Sequence, residues 1–150
     1  MISFINILIL ISLQANSHFS HKNEPVKSNP IRGDIVYGHK DGMALTYDII
    51  APKQPNGAAV VCLVSFRWQS RWIHPDIVLL PSNPWTPLLR GLLDDGFHLY
   101  IVRHGSSPKY KIPDCISDVR KAIRHIRENS KKNNINKQKI FSMGISAGGH

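Results

Sequence analysis

Lys139-Ile140-Phe141-Ser142-Met143-Gly144-Ile145-Ser146-Ala147-Gly148-Gly149 is the stretch on which the reading of this chain turns. Lys139 to Met143 has the length and apolar character of a short buried strand, and Gly144-Ile145-Ser146-Ala147-Gly148 follows it directly. In a G-x-S-x-G segment between a strand and a helix, small residues beside the serine permit a sharp turn that lifts its hydroxyl above the sheet edge. Gly149 adds room where a following helix would pack against the sheet. A plain glycine-rich turn could carry the same letters, but the strand before it supplies the setting a serine nucleophile needs.

The elements upstream place that strand in an α/β plan. Ile31 to Tyr37 and Met43 to Ile50 alternate in polarity and flank Gly38-His39-Lys40-Asp41-Gly42, whose Asp-Gly step signals a hairpin. Met43, Leu45, Tyr47 and Ile49 would share one face. Ala58 to Val64 is continuously apolar, as in a strand covered on both sides. Ser65 to Pro84 reads as a long irregular loop, Trp85 to Leu93 as a helix stopped by Gly96, and Phe97 to Val102 as the next strand. After the loop Arg103 to Lys111, Pro113 opens a helix to about Asn129, with Ile112, Ile116, Val119, Ile123 and Ile126 on one stripe. An antiparallel hairpin followed by β-α-β-α-β gives a mostly parallel sheet. Ligands of such sheets bind beyond the carboxyl ends of the strands. Three loops meet there: Ser65 to His74, Arg103 to Tyr110, and the segment around Ser146.

Composition bounds the partners. At 150 residues, 42% hydrophobic and 19% charged, the chain reads as globular with at most one domain. Phe4 to Leu13 is apolar but shorter than the roughly 20 residues that span a bilayer, and Ala15-Asn16-Ser17 offers small residues for cleavage. Residues 1–17 are therefore expected to be a secretory signal, 18–30 a flexible segment and 31–150 the folded domain, in a secreted or periplasmic product. A buried amphipathic helix is the alternative for the first segment, and its lack of a polar face argues against it. Neither a stable membrane anchor nor a lipid-bearing cysteine is expected. Cys62 and Cys115 do not form a disulfide framework and read as buried free thiols. Of the 19 Lys and Arg residues behind the net charge of +9, those in Arg127 to Lys139 lie in an Asn-rich stretch without aromatics. That pattern argues against nucleic-acid binding and leaves a weak attraction to anionic surfaces. The chain has no metal-ligand spacing, phosphate-binding loop or dinucleotide fingerprint, so neither a metal nor a cofactor is expected.

From about Ile31 to His150 the chain resembles the N-terminal half of the α/β-hydrolase family, in its secreted esterase and lipase branch with acetylesterase-like and feruloyl-esterase-like members. The residues that carry the resemblance are the hairpin with Asp41-Gly42, the strand ending Val64-Ser65, Trp68, the Ser107-Pro108…Pro113…Asp118 pattern and the motif around Ser146. The resemblance implies acyl transfer from a small ester or acylated carbohydrate. Ser146 would attack the carbonyl, a histidine would take its proton, an acid would orient that histidine, and two N–H groups would hold the oxyanion. One of those donors would be the N–H of Ala147. The second would come from the loop after the third strand, where relatives carry glycines.

This chain departs from that pattern twice. Phe66 and Arg67 stand where glycines are expected, and both side chains oppose positive φ and close approach of substrate. The Arg67 guanidinium could itself supply positive charge, or could simply point into solvent beside Trp68. In the family, moreover, the acid and the base follow the serine. Among upstream residues only His74 and His104 lie at the correct sheet edge to substitute. Trp68, His74 and His104 are therefore candidate pocket residues, and His150 would pack under the turn. The fragment is expected to be inactive alone, and poorly soluble or only partly folded because its last strand exposes an edge. Two other readings remain: a non-catalytic secreted module that binds carbohydrate or protein through Phe66, Arg67, Trp68 and Trp72, and a prolyl-oligopeptidase-type serine peptidase.

Overall fold

Asp41 (φ 47°) and Gly42 (φ 80°) both adopt positive φ, the geometry of a two-residue turn matched to the twist of a hairpin. They join β1, Ile31–Lys40, to β2, Met43–Ile50, in a computed structural model that describes residues 29–150. The expected leader, 1–17, and most of the segment after it lie outside the described residues. The hairpin runs further than its sequence signal suggests. With only two residues in the turn, Gly38, His39 and Lys40 stay in register opposite Leu45, Ala44 and Met43.

β3 (Ala59–Leu63), β4 (His98–Val102) and β5 (Ile140–Gly144) complete a five-stranded sheet of order β1-β2-β4-β3-β5. β2 is antiparallel to β4, whereas β3 lies between β4 and β5 and runs parallel to both. This is the α/β plan of the sequence analysis. Three helices connect the strands: α1 (Pro75–Val78), α2 (Thr86–Asp94) and α3 (Ile112–Glu128). The segment expected to be wholly irregular thus holds one short helix, started by Pro75 and by the His74 Nδ1, which accepts the Asp76 N–H at 3.3 Å. Gly96 (φ 89°) turns the chain out of α2 where a Cβ would lie 2.6 Å from the Gln54 carbonyl oxygen.

Both faces of the sheet are covered, which is why β3 and β4 are apolar throughout. On one face Leu45, Tyr47, Ile49, Val61 and Tyr100 pack with Ala122 and Ile126 of α3. On the other Val60, Cys62, Leu99 and Ile101 pack with Val78 of α1 and Leu89 and Leu93 of α2. Of the face shared by Met43, Leu45, Tyr47 and Ile49, the last three are buried and Met43, beside the turn, is exposed. α3 is rotated from the stripe read in the sequence: Cys115, Asp118, Ala122 and Ile126 face inward, while Ile112 and Ile116 are exposed. A carboxylate is responsible. Asp118 is fully buried because Lys40 and the Gly105 N–H hold it, and an apolar stripe cannot reveal that attachment.

β5 has no partner on its outer side among the described residues. Phe141 on that strand remains 55% exposed, with its ring 6.3 Å from that of Phe97. The strand is therefore an apolar edge.

Candidate active site

The backbone at Ser146 is what its flanking glycines make possible. Ser146 has φ 54°, a left-handed conformation that is costly for a residue with a Cβ, and it starts a 3-10 turn, Ser146–Gly149, one residue, Ile145, beyond the end of β5. A Cβ on Gly144 would lie 1.9 Å from the Gly148 carbonyl oxygen, and one on Gly148 would lie 2.4 Å from that of Leu63. Both positions therefore demand glycine, and between them Ser146 is exposed beyond the end of the sheet. Where a helix is expected to follow the serine, the described residues form a 3-10 turn in which the Gly148 N–H donates to the Ile145 carbonyl at 2.9 Å.

The loop after β3 closes differently from what the sequence suggests. Phe66 and Gln69 exchange two backbone hydrogen bonds of 3.0 and 2.9 Å around Arg67 and Trp68. The left-handed pair is thus Arg67 (φ 52°) and Trp68 (φ 62°), not Phe66 and Arg67. The loop is tied to its neighbour after β4: the Ser107 N–H donates to the Trp68 carbonyl at 3.0 Å, and the Ser70 N–H to Ser106 Oγ at 3.0 Å. Trp72 Nε1 donates to Asp34 Oδ1 at 3.0 Å. These bonds hold the strained turn in place.

Two depressions flank the turn around Ser146. One is an apolar cavity of about 470 Å³ walled by Leu63, Val64, Ile77, Val78, Leu89 and Met143, with Ser65, Phe66 and Ser146 also on its lining. Neither histidine nor carboxylate lines it. Cys62 does, but burial pushes its thiol up to about 12, so it stays protonated and is no rival nucleophile at neutral pH. The second is a groove that holds Ala147, Trp68, His104 and His150, with the Trp68 and His150 rings 5.5 Å apart.

The candidate residues are therefore divided. Ser146 and Phe66 share the cavity, while Trp68, His104 and Ala147 share the groove. His150 packs against Trp68 rather than beneath the turn. His104 is buried, and its Nδ1 lies 2.7 Å from the Gly105 carbonyl. His74 caps α1 beside Asp76, and Arg67 is exposed at the tip of its loop. Neither lines the Ser146 cavity. His125, on α3, meets the Tyr47 hydroxyl through its Nδ1 at 3.0 Å.

Two buried ion pairs that periodicity did not reveal fix the loops around this edge. Arg103 pairs with fully buried Asp48, which also accepts the Asp34 N–H at 2.8 Å, and Arg103 Nη1 reaches Thr46 Oγ1 at 3.0 Å. Lys40 Nζ lies 2.8 Å from Asp118, whose Oδ2 accepts the Gly105 N–H at 3.0 Å. Cys115 Sγ donates to the Gly105 carbonyl at 3.1 Å, and burial raises the pKa of that thiol. The only available signal was one charged residue inside each apolar pattern.

Comparison with known proteins agrees with this architecture. The chain is similar to a truncated carbohydrate esterase from gut microbiota, at 24% identity and TM-score 0.59 over 79% of this chain and 40% of that one. It is similar to the esterase Est2 of the planctomycete Thermogutta terrifontis, at 23% identity and TM-score 0.61 over 81% of this chain and 41% of that one. A bifunctional GH43-CE protein of Bacteroides eggerthii matches at 28% identity and TM-score 0.60 over 77% of this chain and 16% of that one. The chain thus spans less than half the length of these solved relatives. No curated protein sequence matches it. The BD-FAE family model matches residues 48–150, from the buried Asp48 through the Ser146 turn to His150, and the chain belongs to that family.

Proposed function

We propose that the chain carries the N-terminal half of a serine-dependent carboxylic-ester hydrolase, with Ser146 as its nucleophile and the Ala147 N–H as one oxyanion donor. The observation that carries this reading is the strained Ser146 backbone at the tip of β5, beside an apolar cavity. Ser146 Oγ would add to an ester carbonyl, and a histidine would take its proton. None of the residues lining the cavity can accept that proton, so the described residues alone are inactive in this reading. The substrate is a small ester or an acylated carbohydrate, and the leader 1–17 directs the product out of the cytoplasm.

Turnover of p-nitrophenyl esters tests the assignment. The 150-residue chain is expected to match its Ser146→Ala variant, whereas the full-length product of its gene is expected to hydrolyse the ester and to lose that activity on Ser146→Ala. Full activity in Ser146→Ala would remove Ser146 from the reaction. A second reading, a secreted module that binds carbohydrate, draws on Phe66 and Trp72, which are 71% and 56% exposed. It predicts retention on immobilised polysaccharide that falls when both are changed to Ala.

A further inference from the structure

The positive charge of this chain is gathered in one place. Residues 120–139 hold eight Lys and Arg against a single acid, Glu128, whereas all other residues together hold eleven against nine acids. Seven of the nine net charges therefore come from twenty residues. Arg120, Arg124 and Arg127 follow one another at helical spacing on α3, within about 60° of arc and on the side opposite the inward-facing Asp118 and Ala122. Lys131 opens the 3-10 turn after the helix and continues the run of cations. All four are exposed, as are Lys132, Lys137 and Lys139 beyond them. Among the described residues none of these seven forms an ion pair.

The fold alone does not account for this ridge. Its successive members stand three or four residues apart, where like charges repel and weaken a helix. The helix dipole favours cations at the last turn, which covers Arg127 and Lys131, but Arg120 and Arg124 lie further inside α3 and Lys137 and Lys139 lie outside it.

What accompanies the charge points to the ligand. The segment has no aromatic ring on which a base could stack. Its apolar residues Ala122, Ile126 and Ile135 are buried and Ile123 packs on the core, which leaves none to enter a bilayer. Exposed amides take their place: Asn136 and Gln138 alternate with Lys137 and Lys139, and offer donors and acceptors to hydroxyl groups. The guanidinium forks of Arg120, Arg124 and Arg127 match carboxylates. At its N-terminal end the ridge meets the groove beside the Ser146 turn, where Arg120 is on the lining with Ala147 and His150.

We infer that the outer face of α3 and the segment after it, as far as Lys139, form a docking track for an acidic polysaccharide, whose carboxylates lie on the arginines and lysines and whose hydroxyl groups meet the amides. The track brings a bound chain beside the Ser146 turn, while docking itself is independent of the reading of Ser146 as nucleophile.

The test is calorimetric titration of the full-length gene product carrying Ser146→Ala, with oligogalacturonate and with the same oligomer methyl-esterified. The serine variant keeps the ester from being consumed. The charged oligomer is expected to bind at least about 10-fold more tightly than the esterified one. Adding Arg124→Gln, Arg127→Gln and Lys131→Gln should weaken its binding at least about 10-fold and lower the slope of log affinity against log salt by about 2 to 3, roughly one per cation removed. Lys53→Gln, Arg71→Gln and Lys109→Gln together remove the same charge elsewhere, and should leave affinity within about 2-fold. Gln at exposed helical positions has nearly the propensity of Arg and Lys, so the ridge variant should melt within about 2 °C of its parent. Equal loss of affinity in the two triple variants or equal binding of the two oligomers would overturn the inference. So would a ridge variant that melts well below its parent, or tighter binding of single-stranded DNA or phosphatidylserine vesicles than of oligogalacturonate. Phosphonylation of the Ser146-bearing chain reports separately on the nucleophile, and the ridge variant should leave it unchanged.

Discussion

Gly148 crosses the end of β3 so closely that a Cβ on it would lie 2.4 Å from the Leu63 carbonyl oxygen. The Cβ is fixed by the backbone and its neighbour is a backbone oxygen, so the clash cannot be relieved by a side-chain rotation. Gly144 is tighter still, with 1.9 Å to the Gly148 carbonyl oxygen. Gly144→Ala and Gly148→Ala are each expected to destabilise the fold by about 2–3 kcal/mol. Gly91→Ala, in α2 with nothing within 4 Å, should stabilise by about 0.5–1 kcal/mol. Urea denaturation of the three variants checks the ordering.

Arg67 holds a left-handed conformation at the tip of an exposed turn, where its Cβ is a steric cost. Arg67→Gly is expected to raise stability by about 1 kcal/mol, and Arg67→Ala to leave it nearly unchanged. Equal stabilities of the two variants in urea would show that no strain resides there.

Asp118 is fully buried and accepts from both Lys40 and the Gly105 N–H. Removing it leaves an ammonium group, 15% exposed in its side chain, without its counter-ion. Asp118→Ala is expected to cost about 3–5 kcal/mol. The double change Asp118→Leu with Lys40→Met, which removes both charges, should recover most of that loss. Chemical denaturation of the single and double variants measures the difference.

How far the sequence carried follows from which forces act locally. The Asp41-Gly42 turn, the covered strands Ala59–Leu63 and His98–Val102, and the glycine-framed Ser146 depend on neighbouring residues, and all were legible. The face that α3 presents was not, because Asp118 is drawn inward by Lys40, 78 positions away. The division of Ser146 and Trp68 between two depressions likewise depends on the left-handed turn at Arg67 and Trp68, which no glycine announced.

His98 lies buried on β4, and desolvation lowers its pKa from the usual 6.5, with Arg32 adding to the effect. The unfolded chain therefore binds a proton more readily than the fold does. Stability is expected to fall as pH drops through about 6.5, and to stop falling on this account once the depressed folded value is passed. Melting temperatures of wild type and His98→Gln between pH 8 and pH 5 check this. The wild-type loss should be the larger of the two.

Phosphonylation tests the central claim most directly. The full-length gene product is treated with an alkyl fluorophosphonate, and the modified residue is mapped by peptide mass spectrometry. The account predicts one adduct, on the peptide containing Ser146, and none in Ser146→Ala. An adduct on another serine, or equal labelling of the Ser146→Ala protein, would contradict it.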